Sequence, residues 1–191
     1  MRPQGVPATM DIPAHALLDE TTLLRKARWG NHAAFAELYR LHASAIHTLA
    51  YRLTSNTAAA EDITQETFLK MLQFLNGIRD DVPLRPWLKK VSANAAIDRL
   101  RKERRFSASE DESEWIAPGP AQAQEVEMSH MLRRLEPSVR VVVWLHEMEG
   151  WTHAELGTRF GQSASWSKSI VSRALERLRR ELHEENQHED A

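Results

Sequence analysis

Apolar residues recur at helical spacing along almost all of these 191 residues, and the pattern breaks decisively once, over residues 106–124. A side-chain period near 3.6 lets a helix bury one stripe, whereas a half-buried strand needs strict alternation. Glycine is scarce, at 7 residues, and β-branched runs are few. The chain therefore reads as all-α. The break holds Ser107, Ser109, Ser113, Pro118, Gly119 and Pro120 without periodicity, which is linker composition. At about 100–200 residues per domain, this length allows one ordinary domain or two small ones. With a flexible linker at 106–124 we expect two small helical domains, 20–105 and 125–182, each with a thin core. Residues 1–19 carry Pro3, Pro7 and Pro13 and are expected as a disordered tail, and the polar residues 183–191 should fray.

Composition excludes several classes. Zero cysteine rules out disulfide scaffolds, Cys-ligated zinc and thiol nucleophiles, and fits a reducing compartment. No run approaches ~18 apolar residues, so no membrane insertion is expected. The first twenty residues lack a basic start followed by an apolar stretch, so no secretion signal is read and a cytoplasmic protein is expected.

The total charge, −2 from 25 basic and 27 acidic residues, would by itself argue against a nucleic-acid binder. By segment it does not. Residues 83–105 hold eight basic residues against two acidic, a net of +6, while 106–127 hold six acidic and no basic residues, a net of −6. A +6 helix is a plausible phosphate footprint, although Lys and Arg also suit the solvated C-terminal end of any helix. The adjacency suggests that the free linker screens the basic helix.

In the first domain a short helix is predicted over about 20–29, ended by Gly30, with Asn31 capping the next. That next helix places Phe35, Leu38, Tyr39, Ile46, Leu49, Ala50 and Leu53 on one stripe. A third starts after Asn56-Thr57 and runs to about Asn76-Gly77, with Phe68, Leu72 and Leu75 on its apolar stripe. A fourth spans about 84–105, with Pro86 tolerable in its first turn and Trp87, Leu88, Val91, Ala95 and Leu100 toward the core.

The second domain is more informative. Glu136-Pro137 starts an almost wholly apolar helix up to Met148. Thr152-x-x-Glu155 is a capping box. The helix it opens stops at Phe160, because Gly161 suits a left-handed terminus. Ser163 caps another helix after a turn of about three residues, forming a helix-turn-helix. On a wheel of ~100° per residue, Val171, Ala174, Leu175, Leu178 and Leu182 lie opposite Arg173, Arg177 and Arg180. One face packs and the other is basic, as a helix in a major groove requires. Ser165, Trp166, Ser167, Lys168 and Ser169 at its start, with Arg173 and Arg177, are the candidate DNA contacts. An amphipathic bundle helix with a solvated charged face carries a similar pattern; the short preceding helix and its capping box favour DNA.

Nine histidines invite a metal site, and His146, Glu147, Glu149 and His153 cluster. Their spacing is not His-Glu-x-x-His and straddles the Gly150 turn, so it does not set two ligands on one helix face. No metal, cofactor, nucleophile triad or Gly-rich phosphate loop is expected, and the chain does not read as an enzyme.

In order and spacing, several strings resemble the extracytoplasmic-function (group 4) sigma factors of bacterial RNA polymerase. They are Phe35-Ala-Glu-Leu-Tyr39, Ala60-Glu-Asp-Ile-Thr-Gln-Glu-Thr-Phe-Leu-Lys70, Trp87-Leu-Lys-Lys-Val-Ser-Ala-Asn-Ala-Ala-Ile-Asp-Arg-Leu-Arg101, the helix-turn-helix, and Ser172-Arg-Ala-Leu-Glu-Arg-Leu-Arg179. The resemblance covers about residues 21–182. It implies a first domain like region 2, which binds core polymerase and opens the −10 element, and a second like region 4, which reads the −35 element. Asp62, Gln65 and Glu66 match the segment that contacts the clamp helices of the largest polymerase subunit. Spaced i, i+3 and i+4, they can share one helix face.

Asn94 and Asp98 match positions facing −10 DNA, with Lys89, Lys90, Arg99, Arg101, Lys102, Arg104 and Arg105 holding phosphates. The loop at 77–86 lies where the family keeps a pocket for a flipped base, and the acidic linker falls where it threads the active-site cleft. The implied partners are core RNA polymerase and promoter DNA; whether an anti-sigma factor also binds is left open. A sigma-like decoy or an ordinary helix-turn-helix regulator are the alternatives. A decoy should have lost its basic residues, and a regulator would usually add a ligand or receiver domain. Departures fall on the reading elements. The recognition helix opens Ser165-Trp-Ser-Lys-Ser-Ile170 rather than with a Gly-Thr-Val-Lys-Ser-Arg-like string, and the loop carries Pro83, Pro86, Asp80 and Asp81.

Overall fold

A computed structural model describes residues 14–106 and 131–189, with side chains over 20–103 and 131–183. Its order is α1 (Ala14–Arg28), α2 (His32–Thr54), α3 (Thr57–Phe74), a 3-10 turn (Leu75–Gly77) and α4 (Leu84–Phe106), then α5 (Pro137–Glu147), α6 (His153–Phe160) and α7 (Ala164–Glu189). No strand occurs among the described residues. Helix α1 begins at Ala14, six residues before its expected start, so part of the presumed tail is helical. Helix α7 likewise continues past Leu182 to Glu189. The linker expected at 106–124 lies, apart from Phe106, outside the described residues, and so does the notion that its acids screen α4.

Local chemistry sets the helix ends. The Asn31 side chain accepts from the Ala34 N–H at 2.9 Å and that of Asn56 from the Ala59 N–H at 2.8 Å. Each satisfies a donor that the first turn leaves free, worth about 1 kcal/mol. Glu136 does the same for Ser138 and Val139 ahead of α5, at 3.1 and 3.2 Å.

Two clusters of buried side chains hold the molecule. The first joins Leu24, Leu38, Ile46, Phe68, Met71, Ile78, Leu84 and Leu88, all in the first domain. The second crosses between domains. Leu49, Leu53, Ile63, Ile97 and Leu100 pack with Val141, Val142, Trp144, Leu145, Leu156, Val171 and Leu178. Separate thin cores were expected, but α5 is buried from both sides and completes each domain with the other. Val141, Val142 and Leu145 are fully buried. At roughly 1.5–3 kcal/mol per buried side chain, this seam supplies most of the adhesion between domains. Two residues assigned to core stripes face out instead: Tyr39 is 41% exposed and Leu72 46%. Both lie at the edge of their stripe, where helical periodicity fixes direction only to within one residue.

Candidate nucleic-acid interface

Helix α4 carries the densest set of candidate residues. The Glu20 carboxylate accepts from the N–H of Leu84 at 3.0 Å and so caps its first turn. Leu84, Leu88, Ala93, Ala96, Ile97 and Leu100 bury one side. The polar residues on the other side are not free. Lys89 donates to both carboxylate oxygens of Glu149, at 3.0 and 2.8 Å. Lys90 reaches Glu155 at 3.5 Å and stands 5.8 Å above the Trp151 ring. The Arg159 guanidinium donates to the Asp98 carboxylate at 2.6 Å and to the Asn94 backbone carbonyl at 3.1 Å, and Arg101 donates to the Arg159 carbonyl at 3.3 Å. Five of the expected −10 residues therefore meet the second domain. The sixth, Arg99, turns to α3 and bridges Asp62 at 3.1 Å and Glu103 at 2.9 Å. Lys102 is exposed beside that bridge, lining a groove between α3 and α4. The side chains of Arg104 and Arg105 lie outside the described residues.

The partners of α4 were missed from the sequence. From the sequence, Glu149 reads only as a candidate metal ligand and Glu155 as half of a capping box, and Arg159 carries no signal. Glu149 in the turn after α5, and Glu155 and Arg159 on α6, carry no mark of what they face.

On α3, Asp62, Gln65 and Glu66 are exposed on one face. Glu66 pairs with Lys70 at 2.6 Å, an i, i+4 surface pair worth a few tenths of a kcal/mol. Leu69 and Leu72, also exposed, continue the same face, so an acidic patch runs into an apolar one.

The helix-turn-helix forms as its local signals require. Thr152 and Glu155 close a capping box, and the Thr152 backbone N–H and hydroxyl hold the Glu155 carboxyl below the usual carboxylate range. Gly161 has φ of 67° at the turn. The Ser163 hydroxyl accepts from the Trp166 N–H at 3.1 Å, opening α7. A second glycine carried no sequence signal: a Cβ on Gly157 would lie 2.7 Å from the Ser163 carbonyl carbon, so only glycine lets α6 meet the turn so closely.

Among the candidate −35 contacts, Ser165, Lys168, Ser169, Arg173 and Arg177 are exposed. Ser167 is not: it is fully buried, with its hydroxyl 3.1 Å from His153 Nδ1. It seats α7 on α6 and cannot face DNA in this arrangement, because helical geometry turns the position before Lys168 inward. Trp166 is half-buried, its ring 5.4 Å from that of Phe160. His146 and His153 stack at 4.0 Å, with His146 Nδ1 2.8 Å from the Trp151 carbonyl oxygen. Burial, then the charges of His146 and Lys168, hold His153 below the ordinary histidine range. With Glu149 bonded to Lys89, these side chains are committed to packing, and no metal-holding group of three occurs among the described residues.

Comparison with known proteins covers both domains. Residues 38–106 match the family described as Sigma-70 region 2, and residues 125–178 match Sigma-70, region 4. The RNA polymerase sigma factor CarQ of Myxococcus xanthus is 31% identical over 167 residues, 84% of this chain and 96% of that protein. The ECF RNA polymerase sigma factor SigL of Mycobacterium tuberculosis is 32% identical over 160 residues, 80% and 90% of the two chains. The sigma factor RpoE from Bartonella quintana, solved with the anti-sigma factor NepR, superposes with a TM-score of 0.57 at 25% identity, covering 78% of this chain and 96% of that one. Relatedness that runs through both domains, in the same order and over nearly the full length of CarQ, makes this chain a member of the sigma-70 family, within its extracytoplasmic-function group.

Proposed function

We propose that the chain binds core RNA polymerase through α3, reads the −35 element with α7 and the −10 element with α4, and promotes melting there. The observation that carries this reading is the shared first domain of α3 and α4. An exposed face of Asp62, Gln65 and Glu66, suited to a basic coiled coil, stands beside a basic helix, and Arg99 bridges the two. An ordinary regulator has no use for the α3 face, and a decoy has none for the basic helix.

Polymerase must also part the domains. Lys89 and Asp98 are engaged by Glu149 and Arg159, and Lys90 lies against Glu155, so these pairs compete with DNA for the polar face of α4. Elements centred about 25 base pairs apart lie roughly 85 Å apart along the duplex. A chain of 24 residues, the length of 107–130, can span at most about 80 Å, and the width of the two folded domains covers the remainder, so both can reach their elements together. Extruding a −10 base costs a few kcal/mol, which binding to the opened strand repays without ATP.

The chain acts by binding and performs no covalent chemistry. Its place of work is the cytoplasm, where polymerase and chromosome are; among the described residues no helix is long and apolar enough to cross a membrane. The Bartonella quintana relative is held by an anti-sigma factor, and a similar partner suits this chain. Replacing Asp62, Gln65 and Glu66 together by alanine should weaken binding to purified core at least tenfold and leave binding to a −35 duplex unchanged. Unaltered core affinity would refute the assignment of α3.

A further inference from the structure

One exposed stretch has no regular structure of its own. Between the buried anchors Ile78 and Leu84, residues 79–83 lie at the surface or only partly covered. The segment from Leu75 to Leu84 is nonetheless held from α1 at several points. Thr21 Oγ1 donates to the Asp80 carbonyl at 2.8 Å. Arg28 Nε donates to the Leu75 carbonyl at 3.0 Å, one Nη donates to the Ile78 carbonyl, and the other pairs with the Asp80 carboxylate at 3.1 Å. Glu20 takes the N–H of Leu84 at the far end. Positions 20, 21, 24, 27 and 28 fall on one face of α1, and Leu24 and Ala27 bury it into the first core. One helix face thus both packs and grips the loop from Leu75 to Leu84. Arg28 is central, because its planar fork satisfies two carbonyls and a carboxylate at once. Helix α1 lies ahead of residue 38, where the region 2 match begins.

We propose that α1 braces this loop and that Arg28 is a positioning residue for base selection at the −10 element. This rests on the reading that the loop receives an extruded base. A pocket selects a base only if its walls hold their shape when the base enters. On that reading the loop backbone forms the wall, and Arg28 and Thr21 set it by holding the Leu75, Ile78 and Asp80 carbonyls from behind. Lysine at 28 keeps the charge beside Asp80 but cannot fork to two carbonyls, so Arg28→Lys should resemble Arg28→Ala.

The test uses the full chain with purified core, on promoters in which each −10 position carries each base in turn. Arg28→Ala and Arg28→Lys should change the preference among bases at one −10 position by roughly tenfold, the scale of one lost charge-assisted hydrogen bond. Core affinity and −35 duplex binding should stay within about twofold. Thr21→Val, which leaves the buried face of α1 intact, should shift the same preference less and in the same direction, and it keeps the test open if the Arg28 variants fold poorly. A stabilising role alone would lower transcription from every promoter by one factor and leave the ranking of bases unchanged; that result overturns the brace. A wild-type chain that drives no promoter-dependent transcript overturns the function on which the brace depends.

Discussion

Replacing Arg159 with alanine should loosen the two domains. Its guanidinium makes two cross-domain hydrogen bonds, to the Asp98 carboxylate at 2.6 Å and to the Asn94 carbonyl at 3.1 Å. A charge-assisted bond contributes about 1.5–3 kcal/mol when shielded. These side chains are 30% and 48% exposed, so solvent screens the pair toward the 0.2–1 kcal/mol range of surface pairs. The geometry is good, and about 1 kcal/mol is a reasonable figure, which is close to fivefold in the ratio of open to closed molecules. Adding Lys89→Ala, whose partner Glu149 is only 12% exposed, should bring the total near 2 kcal/mol, or roughly thirtyfold. The chain has no cysteine, so Gln73→Cys on α3 and Glu176→Cys on α7 give two unique dye sites for single-molecule energy transfer. The low-transfer population should rise in the order wild type, single, double variant, and rising salt should narrow the differences. An open population unchanged by either substitution would refute the view that these ion pairs help to latch α4 to the second domain.

Other consequences are local. Gly157→Ala should destabilise the helix-turn-helix by about 1–3 kcal/mol, because the new Cβ meets backbone rather than a side chain that can yield; a thermal melt checks it. Burial raises the Glu20 carboxyl, but hydrogen bonds from His42 and the Leu84 N–H, with the His42 charge, outweigh it and leave Glu20 below its ordinary value of 4.5. A lowered carboxyl stabilises the fold fully above pH 4.5 and loses that contribution as pH falls through its folded value. Glu20→Gln should therefore flatten the acid limb of a stability–pH curve. Arg173→Ala should weaken −35 duplex binding and reduce the slope of log affinity against log salt by about 1, measured by fluorescence anisotropy.

Much of this molecule is legible locally. Asn31, Thr152, Glu155, Gly161 and Ser163 act within a turn of themselves, and each does in three dimensions what its type and position predict. The exposed face of α3 is equally a matter of spacing. What is not legible is which face meets which. Helix α5 reads correctly as buried, yet nothing in its run of valines says that two domains share it. The charges show the same limit. The +6 stretch reads as a DNA footprint beside an acidic linker, but much of α4's polar face is met by Glu149, Glu155 and Arg159, some fifty to seventy residues away. Ser167 fails for a smaller reason, since one position on a wheel separates a side chain in a groove from one sealed against α6.

The most direct measurement is multi-round run-off transcription with purified bacterial core, using promoter fragments recovered by chromatin pull-down of the tagged chain, with permanganate footprinting of the same complexes. Adding the chain should yield discrete transcripts absent with core alone and make −10 thymines reactive. Arg173→Ala and the Asp62, Gln65 and Glu66 triple variant should each reduce both signals. No transcript above core alone from any recovered promoter, with the −10 region unreactive, would contradict the assignment of this chain as an initiation factor.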